Sequence, residues 1–496
     1  MSDTQPTPMH TLRLTTDAAA FTALQNSPHL APLPVPARAR RLVETYYDTE
    51  AFTLAKQGMA LVTARAGRGH KLRLNWDDTA LEVSTASPEP DLADLGPEWE
   101  VALRSSLQAA PLNPAFITEI KRITRQTGEV EVRFESGFIK AGAEKLAIHE
   151  VELRGPEEAL YQTALDLADT SPLLMQAHSL AARGAQLAGG PMPIVQKAGS
   201  GLTGEPSLDE AVLAISQSCI RQFIGNWPVF AEGDAVSAVH QMRVALRRLR
   251  SVLGLFHRAI PAPEFSAFRT EAKRLANVMG EARNWDVFAA LVEQGPARAF
   301  PEEPGFAALF AQCTEKRSAA HAGVRALLAA PETTRFVLTV EAFLARRGWR
   351  NVASAEALRE LSEPALGFAT ATMARLHRKV AKRGKHMARL GEHERHLVRI
   401  ELKKLRYAGD LFSGLFTAQS KVRGYNKIAA RLQEDLGLLN DLATAKTLLR
   451  ELDGREPDAA RAIGIVLGWC AYAARADDKE LLRRWGAFSE TKPLSG

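Results

Sequence analysis

Two stretches of this chain set the same cations behind a histidine. His240 is followed by Arg243, Arg247, Arg248 and Arg250; 156 positions later, His396 is followed by Arg399, Lys403, Lys404 and Arg406. In both, the basic residues stand at +3, +7, +8 and +10 from the histidine, and Leu-Phe closes the pattern at +15 and +16 (Leu255-Phe256 and Leu411-Phe412). The chemistry open to such a set is anion binding. A guanidinium donates two coplanar hydrogen bonds to one phosphoryl group, and a histidine adds a donor that titrates near neutrality. A divalent metal would be repelled by these neighbours, so neither a metal nor any other cofactor is expected there.

These residues need a helix to act together. At 100° per residue, Arg243, Arg247 and Arg250 fall within about 80° of His240 on one side, and Arg248 about 80° round on the other. Met242, Leu246, Leu249, Leu253 and Phe256 share the opposite face and should form core. Like charges three and four residues apart destabilise an isolated helix, so a bound polyanion is the expected compensation. The duplication extends further. Gly280-Glu-Ala-Arg283-Asn284 follows His240 by 40 residues to its glycine, and Gly437-Leu-Leu-Asn440-Asp441 follows His396 by 41. A tandem pair of helical bundles related by a pseudo-twofold accounts for both intervals. Asp286, Asn440 and Asp441 are read as orienting arginines or capping helices, and His377, His386 and His393 as exposed helix residues.

At 496 residues, two or three domains are expected, and 46% hydrophobic with 24% charged residues is a globular composition. No apolar run approaches the roughly 20 residues of a membrane span, and the opening Met1-Ser-Asp-Thr-Gln-Pro6 has no signal-peptide core. Cys219, Cys313 and Cys470 are isolated, which suits buried thiols in a reducing compartment. The cytoplasm is the expected location. Charge is unevenly placed: residues 1–200 hold 19 Lys/Arg against 24 Asp/Glu, so of the whole chain's 63 and 57 the remainder holds 44 against 33. The basic half is where an acidic partner belongs.

The first 155 residues alternate with a period of two, as in Arg41–Tyr47, Met59–Arg65, Lys71–Trp76, Gly128–Glu135 and Leu146–Leu153. Turn chemistry at Gly67-Arg-Gly69 and Trp76-Asp-Asp-Thr79 points to antiparallel hairpins. Acids and bases interleave on both faces, the pattern of a barrel with a charged, wet interior. Helices are expected at 17–26 and 156–169. Residues 189–206, rich in Gly and Pro, read as a linker. Beyond them a 3.6-residue period sets in, with Pro261, Pro263, Pro296, Pro301, Pro304 and Pro331 at helix boundaries. The expected architecture is α+β and multidomain: an antiparallel β-barrel over 1–188, a linker over 189–206, and an all-α pair of four-helix bundles over 207–490, with halves near 207–345 and 355–490.

His240-Gln-Met-Arg243-Val-Ala-Leu-Arg247-Arg248-Leu-Arg250, Lys403-Lys404-Leu-Arg406-Tyr407, Gly280-Glu-Ala-Arg283-Asn-Trp-Asp286 and Leu436-Gly-Leu-Leu-Asn440-Asp441 resemble the CHAD family, the conserved histidine α-helical domain. The resemblance implies two four-helix bundles whose basic surface or pore binds inorganic polyphosphate, and association with polyphosphate granules in bacteria. Asn284 stands where an aspartate is common in that family. The N-terminal half resembles a CYTH triphosphate-tunnel domain, at Thr45-Tyr-Tyr-Asp48-Thr, Glu119-Ile-Lys-Arg122-Ile-Thr-Arg125 and Glu150-Val-Glu152-Leu. Catalytic members of that family open with Glu-x-Glu-x-Lys, whose glutamates hold the activating metal. Here Met9-His10-Thr-Leu12-Arg13-Leu14 supplies neither glutamate nor lysine, and hard cations need such oxygen donors. Glu98, Glu100, Glu150 and Glu152 remain, and Arg65, Lys71, Arg73, Arg122 and Arg125 could still grip phosphate.

The expected function is therefore non-enzymatic binding of polyphosphate. His240, Arg243, Arg247, Arg250, His396, Arg399, Lys403 and Arg406 are the expected contacts, with Arg248, Lys404 and Arg283 secondary. Binding should weaken with salt, strengthen with polymer length, and tighten near pH 6 as the two histidines gain charge. A metal-dependent inorganic triphosphatase acting through the tunnel is the alternative. Nucleic acid is disfavoured, because the basic faces carry no aromatic residue for base stacking besides Tyr407.

Overall fold

A computed structural model describes residues 9–30, 39–66, 69–76, 79–257, 259–260, 262–476 and 478–494. The opening segment 1–6, the turn residues 67–68 and 77–78, and Pro261 lie outside them. The chain divides into two compact units, one comprising Met1–Ile194 with Ala329–Ala345 and the other Val195–Leu328 with Arg346–Gly496.

The first unit is built on nine strands: β1 (His10–Thr15), β2 (Arg40–Asp48), β3 (Met59–Ala66), β4 (Gly69–Trp76), β5 (Thr79–Thr85), β6 (Asn113–Thr127), β7 (Val130–Ala141), β8 (Glu144–Gly155) and β9 (Leu174–Met175). They pair antiparallel in the order β5-β4-β3-β2-β6-β7-β8-β1-β9. The antiparallel sheet is as expected. Among the described residues its end strands do not pair with each other, so it is an open sheet and not a hydrogen-bonded closed barrel.

Helices α1 (Ala18–Gln25), α2 (Thr53–Lys56), α3 (Pro97–Leu107), α4 (Glu157–Thr170) and α5 (Leu180–Leu187) accompany the sheet. Because side chains alternate along a strand, each face has its own cover. Leu12, Leu14, Val132, Phe134, Val151 and Leu153 pack on Leu160, Ala164 and Leu167 of α4, while Leu61, Leu72 and Leu74 pack on Leu103 and Leu107 of α3. On the other face, Tyr46, Val62, Phe116, Ile120, Ile139 and Ile148 gather against Ala185 of α5. A Cβ on Gly184 would fall inside the Phe116 ring, so only glycine lets α5 lie this close.

The second unit is helical: α6 (Leu208–Gly225), α7 (Trp227–Glu232), α8 (Ala235–Phe256), α9 (Pro263–Val292) and α10 (Gly305–Leu328), then α12 (Ala355–Ser362), α13 (Ala365–Gly384), α14 (Glu392–Phe412), α15 (Gln419–Leu449), α16 (Pro457–Ala476) and α17 (Asp478–Glu490). Neighbours run α6–α8–α9–α10 in the first half and α13–α14–α15–α16 in the second. Equivalent helices also meet across the halves: α6 with α13, α8 with α14, α9 with α15 and α10 with α16. A pseudo-twofold axis between two duplicated bundles produces that pairing. Helix starts carry the chemistry that stops fraying. Ser207 and Glu210 form a reciprocal capping box on α6, Asp234 accepts from the Ser237 amide at the start of α8, and Pro263 opens α9.

The intervening helix α11 (Pro331–Ala345) departs from the expected division. It groups with the sheet unit, packing on α4 with Leu338 in the same core cluster. Thr334 Oγ1 accepts from the Met175 amide at 3.1 Å, and Arg335 pairs with Asp169. Residues 329–345 thus belong to the sheet unit, not to the first helical half.

Candidate anion-binding site

Helix α8 separates core from charge as its periodicity implied. Met242, Leu246, Leu249, Leu253 and Phe256 are buried, while His240, Arg243, Arg247 and Arg250 are half-buried. Arg248, on the other side, is buried. It donates to the carbonyls of Ala198 and Gly199 at 2.7 and 2.8 Å and to Gln222 Oε1 at 2.7 Å. It pins the segment leading into α6 and so stands apart from the face that His240, Arg243, Arg247 and Arg250 share. The same happens to Lys404. It is exposed and, with Lys379, pairs with the buried Glu401 at 3.1 and 3.0 Å; Arg383 stands 4.0 Å from the same carboxylate. Lys379 and Arg383 of α13 are therefore gathered, with Lys404, on one acid.

Where α8 meets α14, four other cations converge. Arg243 and Arg247 from α8 and Arg399 and Lys403 from α14 act on one another electrostatically. Among the described residues, no carboxylate lies within salt-bridge distance of any of the four; Asp441 of α15 acts on Arg399 and Lys403 from farther off. Burial, then Arg247, Arg399 and Arg243, push the Lys403 amine down to about 6. Burial and Arg247 push Arg243 down to about 10. Arg243 Nη1 and Arg399 Nε are buried and have no hydrogen-bond partner among the described residues. Gly280 on α9 makes the space for Arg243, since a Cβ there would sit 2.8 Å from its Nη1. Tyr407, buried between the helices, has the Arg247 and Arg406 guanidiniums 5.7 and 5.3 Å from its ring centroid.

The remaining expected contacts lie around this centre. Arg283 of α9 acts on His240 and Arg243, and Lys197 acts on His240; sequence reasoning missed Lys197 because it lies in an aperiodic Gly/Pro-rich stretch. Burial and these neighbours push His240 down to about 4, so it does not gain charge near pH 6 as expected. Arg250 faces Arg247 and Arg269. Arg406 donates to Gln433 at 2.8 Å and lies 3.3 Å from Asp410, which leaves it partly compensated. His396 is exposed, one turn before Arg399, and lines a cavity of about 560 Å³ with Asn440 and Lys446. Asp286 accepts from Arg317 at 3.1 Å and lies 3.2 Å from His321, both of α10, in place of the basic-helix arginines it was expected to orient. His377 is not an exposed residue: it is buried, with Nδ1 3.0 Å from the Tyr425 hydroxyl. The three cysteines are buried and free.

In the sheet unit, strand register decides which candidates share a face. Arg13, Glu44, Arg73, Arg122, Glu135 and Glu152 lie on the face covered in part by α5. Arg65 pairs across β3–β4 with His70, and Arg125 pairs across β6–β7 with Val132, which places both on the opposite face. The cations that do share the inner face are met by carboxylates: Arg73 by Glu44 at 2.8 Å, Arg122 by Glu135 at 2.6 Å, Lys71 by Glu82, and Arg183 of α5 by Glu150 at 2.5 Å. Glu152 collects Arg13, Arg133 and Arg154 at 2.5, 3.1 and 2.8 Å. Burial raises Glu135 and Glu150; at Glu152 it is outweighed by the three arginines, which hold the carboxyl below its usual range. Glu98 and Glu100 are on helix α3, outside this face. Any triphosphate entering here must displace existing ion pairs.

Residues 214–450 match the CHAD domain family. Two uncharacterised proteins from strains of Mycobacterium tuberculosis are 29% and 28% identical to this chain over 250 residues, which is 48% of this chain and 47% of each relative. The chain thus spans about half the length of the curated relatives it matches. Among solved structures, the crystal structure of the CHAD domain from the plant Ricinus communis is 31% identical with a TM-score of 0.51, covering 61% of this chain and 98% of that one. A putative adenylate cyclase from Bacillus halodurans aligns over 36% of this chain and 96% of its own length, at 15% identity and a TM-score of 0.27. Among the described residues, no helix is long and apolar enough to cross a membrane.

Proposed function

Because this chain belongs to the CHAD domain family, we propose that the junction of α8 and α14 binds inorganic polyphosphate. One observation carries the reading: Arg243, Arg247, Arg399 and Lys403 converge from two duplicated helices with no carboxylate in salt-bridge reach among the described residues. Elsewhere, as at Glu401, Asp209 and Glu152, clustered cations gather on an acid. A polymer with a charge on every phosphate supplies many counter-charges along one groove, and each guanidinium can take two of its oxygens. His240, Arg250 and Arg283 extend the contact on the first half, His396 and Arg406 on the second.

Bases add nothing to such a ligand. Tyr407 is buried beneath Arg247 and Arg406 and offers no stacking platform, which favours a polymer of phosphate alone over nucleic acid. Association with polyphosphate granules and a cytoplasmic location would follow from binding of this kind. The sheet unit supports the triphosphatase alternative less well, because its inner-face cations are already held by carboxylates.

The test is a binding titration of the full chain with long-chain polyphosphate at two salt concentrations. Arg247→Glu combined with Lys403→Glu should weaken binding by ~100-fold or more and flatten its salt dependence. Unchanged affinity in a folded variant would refute the assignment. Release of phosphate from tripolyphosphate by the full chain with Mg²⁺ or Mn²⁺ would revive the alternative.

A further inference from the structure

The two halves of the helical unit differ at one equivalent position of α9 and α15. With Gly280 aligned on Gly437, Asp286 of α9 corresponds to Ala443 of α15. In the first half, Asp286 is buried and fills its place with an ion cluster to Arg317 and His321 of α10. In the second half, Ala443 of α15 and Ala474 of α16, the helix equivalent to α10, line instead the cavity of about 560 Å³ beside His396. At this position one copy of the duplicated site holds an ion cluster and the other borders a cavity.

The walls of that cavity are of two kinds. Leu436, Leu439 and Leu442 of α15 contribute apolar surface. His393, Arg395 and His396 of α14, with Lys446 of α15, contribute cationic or hydrogen-bonding groups, against the single carboxylate of Glu392. The volume is that of a small-molecule site and exceeds what one phosphate needs. A bare phosphate chain would leave the leucine wall without a partner, whereas an apolar molecule would leave His396 and Lys446 without one. We propose that this cavity binds an organic phosphate, a small molecule joining a phosphate or diphosphate to an apolar or aromatic moiety. The phosphate lies toward His396 and Lys446, and the apolar part lies on Leu436, Leu439 and Leu442. Nucleoside phosphates and isoprenoid diphosphates share this chemistry. The site has only His396 in common with the proposed polyphosphate groove and does not depend on it.

Calorimetric titration of the full chain with ATP, geranyl diphosphate and pyrophosphate tests the inference. At least one organic probe should bind at least tenfold more tightly than pyrophosphate, and which one does so identifies the source. Ala443→Phe, which fills the cavity, and Lys446→Glu, which reverses a wall charge, should each cost that probe tenfold or more. Both variants should retain the parent's binding of long polyphosphate, which also reports that they are folded. Failure of both organic probes to outbind pyrophosphate overturns the inference, as does organic-phosphate binding that survives both substitutions. Loss of polyphosphate binding in Arg247→Glu/Lys403→Glu, or its persistence there, bears on the groove alone.

Discussion

Replacing Lys403 by methionine should make the ligand-free protein more stable and the polyphosphate complex weaker. The Lys403 amine is pushed down to about 6 from the ordinary lysine value of 10.5 by burial and by Arg247, Arg399 and Arg243. Between those two values the unfolded chain binds one proton more than the folded one, so stability rises with pH through that window, and the penalty is at its full size below pH 6. At pH 7 the linkage amounts to at most ~5 kcal/mol. Relaxation around the amine and water penetration reduce it, leaving ~2 kcal/mol or more to be recovered by Lys403→Met. For a unit of this size that is a rise in melting temperature of ~4–8 °C. A polyanion removes the same penalty by favouring the ammonium, so binding takes up a proton. Wild-type affinity should then fall ~50-fold from pH 6 to pH 8, and Lys403→Met should remove most of that dependence. His240, pushed down to about 4, is neutral across this range in the free protein. Differential scanning calorimetry at pH 7 and binding titrations at pH 6 and 8 supply both readouts. An unaltered melting temperature together with a pH-independent wild-type affinity would show that the cations are not mutually strained.

Three further substitutions separate binding from scaffolding. Arg248→Met breaks bonds to two carbonyls and to Gln222; it should cost ~2–3 kcal/mol in chemical denaturation yet leave the salt dependence of polyphosphate binding intact. Gly280→Ala puts a methyl 2.8 Å from Arg243 Nη1 and displaces that guanidinium. Affinity should drop ~5–10-fold while the melting temperature changes little, because a flexible side chain absorbs the clash. Glu401→Gln removes the acid shared by Lys379 and Lys404, so it should destabilise the protein by ~1–3 kcal/mol at neutral pH and lose less in high salt.

Much of this arrangement was legible in the sequence because it depends on short-range periodicity. Period-two runs located most of the strands, and the 3.6-residue period put Met242, Leu246 and Phe256 on the core side of α8. The duplication with its glycine offsets anticipated that equivalent helices would pair. What was not legible depends on distant partners. Arg248 could be placed round the helix from its neighbours, but nothing local says that residues 198 and 199 lie across it. Lys404 repeats the register of Arg248, yet its fate is fixed by Glu401 and by Lys379 on another helix. Arg65 and Arg125 read as tunnel cations until strand register puts them on the other face; a register shift of one residue reverses that outcome. The apolar pattern of α11 reveals a buried helix and not which core it joins.

That helix constrains how the chain can come off the ribosome. Leu338 belongs to the cluster that backs the sheet, and Thr334 and Arg335 tie down β9 and the end of α4. The N-terminal unit therefore cannot complete its core until residue 345 has been synthesised, after helices α6 to α10 of the duplicated unit have already emerged. During that interval the surface awaiting α11 is an exposed apolar patch. A cut after residue 194 would make the exposure permanent, so a truncated N-terminal fragment should aggregate where the whole chain stays in solution. The strand order of synthesis, and not only the final contacts, thus makes the two units one folding problem.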